Sequence, residues 1–325
     1  MMSILTSVSI ILVSSFVIYF IGEIFANASS RIGDYLKLPR SVKGATFDAV
    51  ASSLPELFVV LFSVIFFMEF EVGIGTIAGS ALFNLLVIPG ICVLLSPVVF
   101  EVGKKVISRD ALFYIISVFV LLVLLIYFKT WGIIIAIILL VIYAFYLKEI
   151  IKHSKETMKF KKQKKDGINL PREIIKALTT MIIIGTSTYF LTKSSIDLAY
   201  LLKIPTIIIA FTITAAATSV PDAVISIINA KKGRIDDSAS NVFGSNIFDI
   251  SIGLGIPLLI YSLAKGPVEI VFDNLEIILG LLGSTIIVLY LLLQDSKLTK
   301  KEGIILLIIY LFFFIYIILL SLNLF

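Results

Sequence analysis

Two stretches of this chain carry residues that could do chemistry, and they carry nearly the same ones. Gly44 to Asn84 reads G-A-T-F-D-A-V-A-S-S-L-P-E and, after an apolar run, G-S-A-L-F-N. Ala210 to Asp249 reads A-F-T-I-T-A-A-A-T-S-V-P-D and then G-S-N-I-F-D. Pro55-Glu56 aligns with Pro221-Asp222 at an offset of 166, and Ser80 and Asn84 align with Ser245 and Asp249 at an offset of 165. Each proline removes a helix hydrogen bond and frees the carbonyl four residues earlier, at Ala51 and Ala217. A carboxylate follows each proline directly. Ser52 and Ser53 lie one turn before Glu56, as Thr218 and Ser219 lie before Asp222, so each set shares a helix face. Ser80 and Asn84 stand one turn apart on the next segment, as do Ser245 and Asp249. The sum is three carboxylates, one amide and six hydroxyls. All are hard oxygen donors with no thiolate or imidazole among them, which suits calcium or sodium and disfavours zinc or copper.

The segments that hold these residues are apolar enough to lie in lipid. The chain has 325 residues and is 59% hydrophobic, with a mean hydropathy of +1.10, well above a soluble domain. A spanning helix needs about 20 mostly apolar residues. Ten segments qualify, at about 3–30, 40–67, 72–96, 108–128, 131–150, 174–195, 205–230, 236–263, 270–293 and 302–323. The first 22 residues lack a basic leader and a small-residue cleavage site, so they read as a first span and not a signal peptide. Cys92 is the single cysteine and excludes a disulfide framework. An ionisable residue at the bilayer centre costs roughly 2.5–3.5 kcal/mol on insertion scales. No basic residue lies at the depth of the three acids, so a visiting cation is the cheap way to neutralise them.

The basic residues orient the chain. Of 27 Lys and Arg, 23 fall in odd-numbered connections; only Lys129, Lys193, Lys203 and Lys265 fall in even ones. The positive-inside rule makes the odd connections cytoplasmic and places both termini outside. The net charge of +5 therefore follows membrane topology and is no argument for nucleic acid. Ten of the basic residues lie between Lys148 and Lys176, a stretch that includes the run K-F-K-K-Q-K-K-D-G. This cytoplasmic loop divides the chain into residues 1–150, with the first motif repeat at 40–96; a linker at 151–171; and residues 172–325, with the second repeat at 205–263. Y-L-K-L-P ending at Pro39 also matches L-L-K-I-P ending at Pro205. Five spans per half put the halves in opposite orientations. The expected fold is all-α and polytopic, ten transmembrane helices in two inverted five-helix repeats, with the site at the bilayer midplane between them.

The paired S-S-L-P-E and T-S-V-P-D motifs, each followed by G-S-x-x-F-N or G-S-x-x-F-D, resemble the two α-repeats of the cation/calcium exchanger superfamily. The wording is closest to sodium/calcium exchangers, including their potassium-dependent branch. What the resemblance implies is sodium/calcium antiport by alternating access, with no cofactor and no enzymatic step. It makes Glu56 and Asp222 the central calcium ligands, with Asn84 and Asp249 completing the ring. It assigns flanking sodium sites to Ser52, Ser53, Ser80, Thr218, Ser219 and Ser245, with backbone carbonyls at Ala49 and Ala215. The first and sixth helices resemble the family's sliding pair. The chain departs from the family in having Ala51 and Ala217 where glycine usually stands, and Asp48 where a small or apolar residue usually stands. Asp48 lies two turns from Glu56 and reads either as an ion funnel in the inner vestibule or as a hydrated crevice.

Three other readings compete. A proton-coupled exchanger of calcium or another divalent cation would usually show G-N-A-x-E, which is absent. An intramembrane aspartyl protease could use Asp222 and Asp249 as a pair sharing one proton, but G-x-G-D is missing and Glu56 and Asn84 would have no role. A passive channel would need no sodium on the opposite side.

Overall fold

Each of the ten apolar segments is a helix in the computed structural model, which describes residues 3–38, 43–157, 167–270 and 275–321. Helix α1 spans Ile4–Tyr35. α2 runs from a π-helical turn at Gly44–Asp48 through Ala49–Phe62 to a second π-turn at Ser63–Phe67. α3 spans Phe70–Leu95, α4 Lys104–Tyr127 and α5 Ile133–Thr157. In the second half, α6 spans Leu170–Leu202 and α7 consists of α7a, Thr206–Thr218, and α7b, Val220–Lys231. α8 spans Ile235–Lys265, α9 Leu275–Asp295 and α10 Lys300–Ser321.

Local signals account for the helix ends. Ser3 caps α1 by accepting from the Thr6 N–H at 3.1 Å, and Asn169 caps α6 by accepting from the Arg172 N–H at 3.2 Å; Pro171 sits in the first turn of α6, where its missing N–H costs nothing. α1 and α6, at 32 and 33 residues, are each about 48 Å long against a hydrocarbon core of about 30 Å. They pack against each other as a tilted pair. α3 is apolar all round and buried along most of its length. It sits at the centre, packed on α7, α8 and α10.

Two short ladders tie the halves together. β1, Phe100–Glu101, pairs antiparallel with β4, Lys297–Leu298; β2, Thr130–Trp131, pairs with β3, Val268–Glu269. β1 and β3 occupy matching places in their halves, as do β2 and β4. Phe100 opposite Leu298 becomes Val268 opposite Trp131 when the halves are exchanged, which is the register expected of an inverted repeat. The connections after α3 and α9 therefore meet at one end of the bundle, and those after α4 and α8 meet at the other. This alternation is what ten spans require.

The same exchange relates the packing around the two motif alanines. Ala51 is buried with Phe25 of α1 and Ile184 of α6, and Ala217 with Ile18 of α1 and Leu191 of α6. Ile18 matches Ile184 and Phe25 matches Leu191 at the offset of 166. The outer pair α1–α6 thus crosses both motif helices at equivalent points.

Three features differ from the sequence reading. The matched prolines suggest matched kinks, yet α2 stays helical through Pro55, whereas α7 bends by 43° at Ser219. β-branched Val220 adds crowding to the restriction proline imposes on its predecessor, where Leu54 does not. Gly22 of α1 packs beside the Pro221 ring, where a Cβ would lie at an ordinary contact distance of 3.5 Å. α5 continues to Thr157, past the expected end at Ile150, carried into water by polar residues that include the Lys152–Glu149 pair. Arg109, read as a connection residue, lies inside α4 with a side chain only 16% exposed. It forms a bidentate pair with fully buried Asp110, which also accepts from Tyr146 of α5 and Ser240 of α8. The basic run at 159–167 lies almost wholly outside the described residues.

Candidate ion-binding site

Proline and glycine set up the site. Pro55 inside α2 and Pro221 in the first turn of α7b place Glu56 and Asp222 on the faces those helices turn toward each other. α3 approaches α7a at backbone contact through Gly75 and Gly79. A Cβ on Gly75 would lie 2.8 Å from the Ile207 carbonyl oxygen, and one on Gly79 2.0 Å from that of Phe211. Ser80, the next residue, is thereby brought against Ser219 of α7, 2.9 Å between hydroxyl oxygens. α8 completes the ring with Ser245 and Asp249.

The three acids converge. One carboxylate oxygen from each of Glu56, Asp222 and Asp249 lies within 4.8 Å of the others, and all three side chains are fully buried. The Ser80 hydroxyl, with one proton to give, lies 3.5 Å from Glu56 Oε1 and 3.2 Å from Asp249 Oδ2. Ser219 donates to Glu56 Oε1 at 3.3 Å and Ser245 to Asp222 Oδ1 at 2.7 Å. Ser52 meets the Ser245 hydroxyl at 3.3 Å. Thr218 turns its hydroxyl to the carbonyls of Thr214 and Ala215, and Ser52 to those of Asp48 and Ala49. The carbonyls of Ala49 and Ala215 thus line the turns that hold these hydroxyls.

The donors present do not satisfy the acceptors. Four site oxygens, Ser53 Oγ, Glu56 Oε2, Asn84 Oδ1 and Asp249 Oδ1, are buried without a hydrogen-bond partner. Among the described residues no Lys or Arg forms an ion pair with the three acids. Two ionised carboxylates at the 4.8 Å limit repel by about 3.5 kcal/mol at an effective dielectric of about 20. Unpartnered anionic oxygens in a dry interior are costly. The arrangement fits a hard cation: two carboxylate oxygens, an amide oxygen and a hydroxyl await a positive charge, the remaining carboxylate oxygens stand beside them, and calcium takes 6–8 such ligands.

Asn246 is the site residue the sequence comparison passed over. It is fully buried, and its Oδ1 accepts from Asn84 Nδ2 at 2.9 Å while the same nitrogen donates to Asp222 Oδ2 at 3.0 Å. With both N–H groups of Asn84 engaged, its carbonyl oxygen is the atom left over. Asn246 stands in G-S-N-I-F-D, but the matching residue of the first repeat is Ala81, so a search for recurring polar positions discards it. Behind Asp222, Asn241 donates to its backbone carbonyl at 3.3 Å and to Ser226 at 3.0 Å.

Other acids lie outside this ring. Asp48 is half-buried at the start of α2 and its second-repeat match, Thr214, is buried and donates to Ser195 at 2.9 Å. Glu69, in the α2–α3 turn, accepts from Tyr200 at the end of α6. Asp236 accepts from the Gly103 N–H at 2.6 Å, and Asp237 pairs with Arg234. Glu23 is exposed on α1.

Comparison with known proteins gives a consistent result. The chain is 26% identical over 287 residues to the uncharacterized membrane protein MJ0091 of Methanocaldococcus jannaschii, covering 88% of this chain and 90% of that one. It is 39% identical over 128 residues to human sodium/potassium/calcium exchanger 4, a match that spans 38% of this chain and 20% of the relative; across the mammalian exchangers it matches, the chain covers 10–23% of their length. Its fold matches a solved structure of the sodium-calcium exchanger NCX_Mj soaked with Na+ and Sr2+, with a TM-score of 0.66 at 22% identity, covering 95% of this chain and 98% of that one. The family model described as sodium/calcium exchanger protein matches residues 6–150 and 174–319. Together these cover nearly all of both halves, and the chain belongs to the sodium/calcium exchanger protein family.

Proposed function

We propose that the chain is a sodium/calcium antiporter, exchanging Na+ for Ca2+ at the ring of Glu56, Asp222, Asn84 and Asp249. The observation that carries this reading is the convergence of three buried carboxylates within 4.8 Å, with unpartnered oxygens among them and no cationic side chain paired to them. Calcium takes the centre, coordinated by Glu56 and Asp222, with Asn84 and Asp249 on the flanks. Sodium occupies positions that share these carboxylates and add the hydroxyls of Ser52, Ser53, Ser80, Thr218, Ser219 and Ser245 and the carbonyls of Ala49 and Ala215. Three ionised acids balance up to three sodium ions; with one calcium bound, one acid keeps a proton or a water. Shared ligands make the two ions exclude each other, and mutual exclusion at an occluded site is exchange.

The inverted halves supply the alternation. Because the site lies between repeats of opposite orientation, an opening on one side has a structural counterpart on the other. In the cell membrane both termini lie outside and the 148–176 connection lies in the cytoplasm, where Asp48 faces the inner vestibule. A protease reading leaves Glu56 and Asn84 unexplained, although both belong to the same ring as Asp222 and Asp249.

The test is calcium-45 uptake into liposomes containing the purified chain, with sodium, potassium or pH gradients imposed in turn. Uptake driven by an outward sodium gradient, and lost in Glu56→Gln and Asp222→Asn, is the expected result. Uptake that follows only the pH gradient would replace sodium with protons as the coupling ion.

A further inference from the structure

α1 and α6 part at the ends that carry their basic residues. Between them lies a cleft of about 410 Å³ lined by Ile24, Asn27, Ala28 and Arg31 of α1 and Glu173 and Lys176 of α6. Its depth follows from helix geometry. Gly22 packs against Pro221, beside Asp222, and Gly185 packs against Phe58, close to Glu56. Arg31 lies nine residues after Gly22 and Lys176 nine residues before Gly185, each about 13.5 Å along its helix at 1.5 Å per residue. Half of a hydrocarbon core of about 30 Å is about 15 Å. Both backbones therefore stand just inside the hydrocarbon boundary, from which long basic side chains reach outward to the lipid phosphates.

The charges are arranged to leave a surplus. Glu173, with a side chain only 5% exposed, takes a hydrogen bond from Arg31 Nη1 at 3.2 Å and has Lys176 Nζ 4.0 Å away on its other oxygen. Two cations share one acid, which acts as a strut holding them on either side. The rest of the Arg31 guanidinium and the Asn27 amide have no hydrogen bond among the described residues. Toward the membrane centre the lining turns apolar at Ile24 and Ala28, and the same side of α1 continues as exposed Phe20 and Val13.

We propose that this cleft binds an anionic phospholipid, its phosphate bridging Arg31 and Lys176 and one acyl chain lying along Ile24 and Phe20. Cations at phosphate depth explain the headgroup; the apolar continuation inward explains why the occupant is a lipid and not a free anion. Since α1 comes from the first half and α6 from the second, a bound lipid ties the two halves' outer helices at that face of the membrane.

The experiment is native mass spectrometry of the purified chain titrated with phosphatidylglycerol or phosphatidylcholine, with thermal stability in millimolar inorganic phosphate as a separate arm. Phosphatidylglycerol should bind roughly 5-fold more tightly than phosphatidylcholine, the equivalent of about 1 kcal/mol for the one net positive charge. The double variant R31Q/K176Q should lose that preference, while K231Q/K232Q should keep it. Should R31Q/K176Q fail to fold, Ile24→Trp fills the groove with both cations intact and should weaken phosphatidylglycerol binding. A preference that survives R31Q/K176Q, or phosphatidylglycerol binding undiminished in Ile24→Trp, overturns the site. Stabilisation by inorganic phosphate equal to that by phosphatidylglycerol overturns the lipid as occupant.

Discussion

Glu56 and Asp222 are better placed for a cation than for each other, and that sets their expected behaviour when altered. Without divalent or sodium ions the buried acids repel, so Glu56→Gln should raise the melting temperature in chelator by several °C, a shift on the scale of 1–2 kcal/mol for a chain of this size. With calcium present the order should reverse, because the wild type gains RT ln(1 + [Ca2+]/Kd) of stability and the variant gains little. Melting curves in sodium-free buffer, with chelator and with millimolar calcium, check both signs; a variant destabilised in both would mean that Glu56 serves packing. Asn246 belongs to the same argument at one remove. It takes one N–H of Asn84 and so leaves the Asn84 carbonyl as the free atom. Asn246→Ala should cost roughly 1–1.5 kcal/mol, the worth of a buried hydrogen bond. This should appear as a roughly 5–10-fold weaker calcium affinity by isothermal titration, with transport retained. Unchanged affinity would remove the positioning role.

The helices carry their own requirement, a backbone approach that side chains cannot replace. α3 meets α7a so closely at Gly79 that an added Cβ would fall 2.0 Å from the Phe211 carbonyl oxygen and 2.7 Å from the Ala215 methyl. Gly79→Ala must push α3 away from α7a and carry Ser80 with it, so it should abolish transport and lower the yield of folded protein. Gly283→Ala on α9 meets nothing within 4 Å and should be neutral or stabilise by about 0.5–1 kcal/mol. Size-exclusion profiles and sodium-driven calcium uptake of the pair distinguish a crowded interface from a generally glycine-intolerant one. This contact also marks where sequence reading stops. Ten apolar runs and a repeated proline–carboxylate pair were legible because lipid and buried charge each leave a pattern in residue type. Gly79 was not, since the glycine that opens G-S-x-x-F announces flexibility or closeness without naming the partner. Asn246 escaped because only one repeat has it. The bend of α7 but not α2 escaped because the two prolines stand in matching motifs, and a β-branched Val220 before one of them restricts the backbone without dictating a bend.

At the scale of the whole molecule, the two short ladders hold the consequences of inversion. β1–β4 gathers the connections after α3 and α9, and β2–β3 those after α4 and α8, in registers that interchange with the halves. Whatever the orientation in the membrane, Glu101 and Lys297 must share one aqueous face and Thr130 and Glu269 the other. In the orientation proposed above from the excess of Lys and Arg in the odd connections, the first face is the cytoplasmic one. Cys92 is the only native cysteine and is buried, so single cysteines placed at these four positions can be read against a quiet background. Thr130→Cys and Glu269→Cys should react with a membrane-impermeant maleimide on intact cells, and Glu101→Cys and Lys297→Cys only after permeabilisation. Interchanged results would keep the inverted fold and reverse its orientation, moving the 148–176 connection outside and Asp48 to the outer vestibule. Labelling that splits either ladder between the two faces would break the inverted repeat itself, and with it the placement of Glu56 and Asp222 on opposed copies of one helix pair.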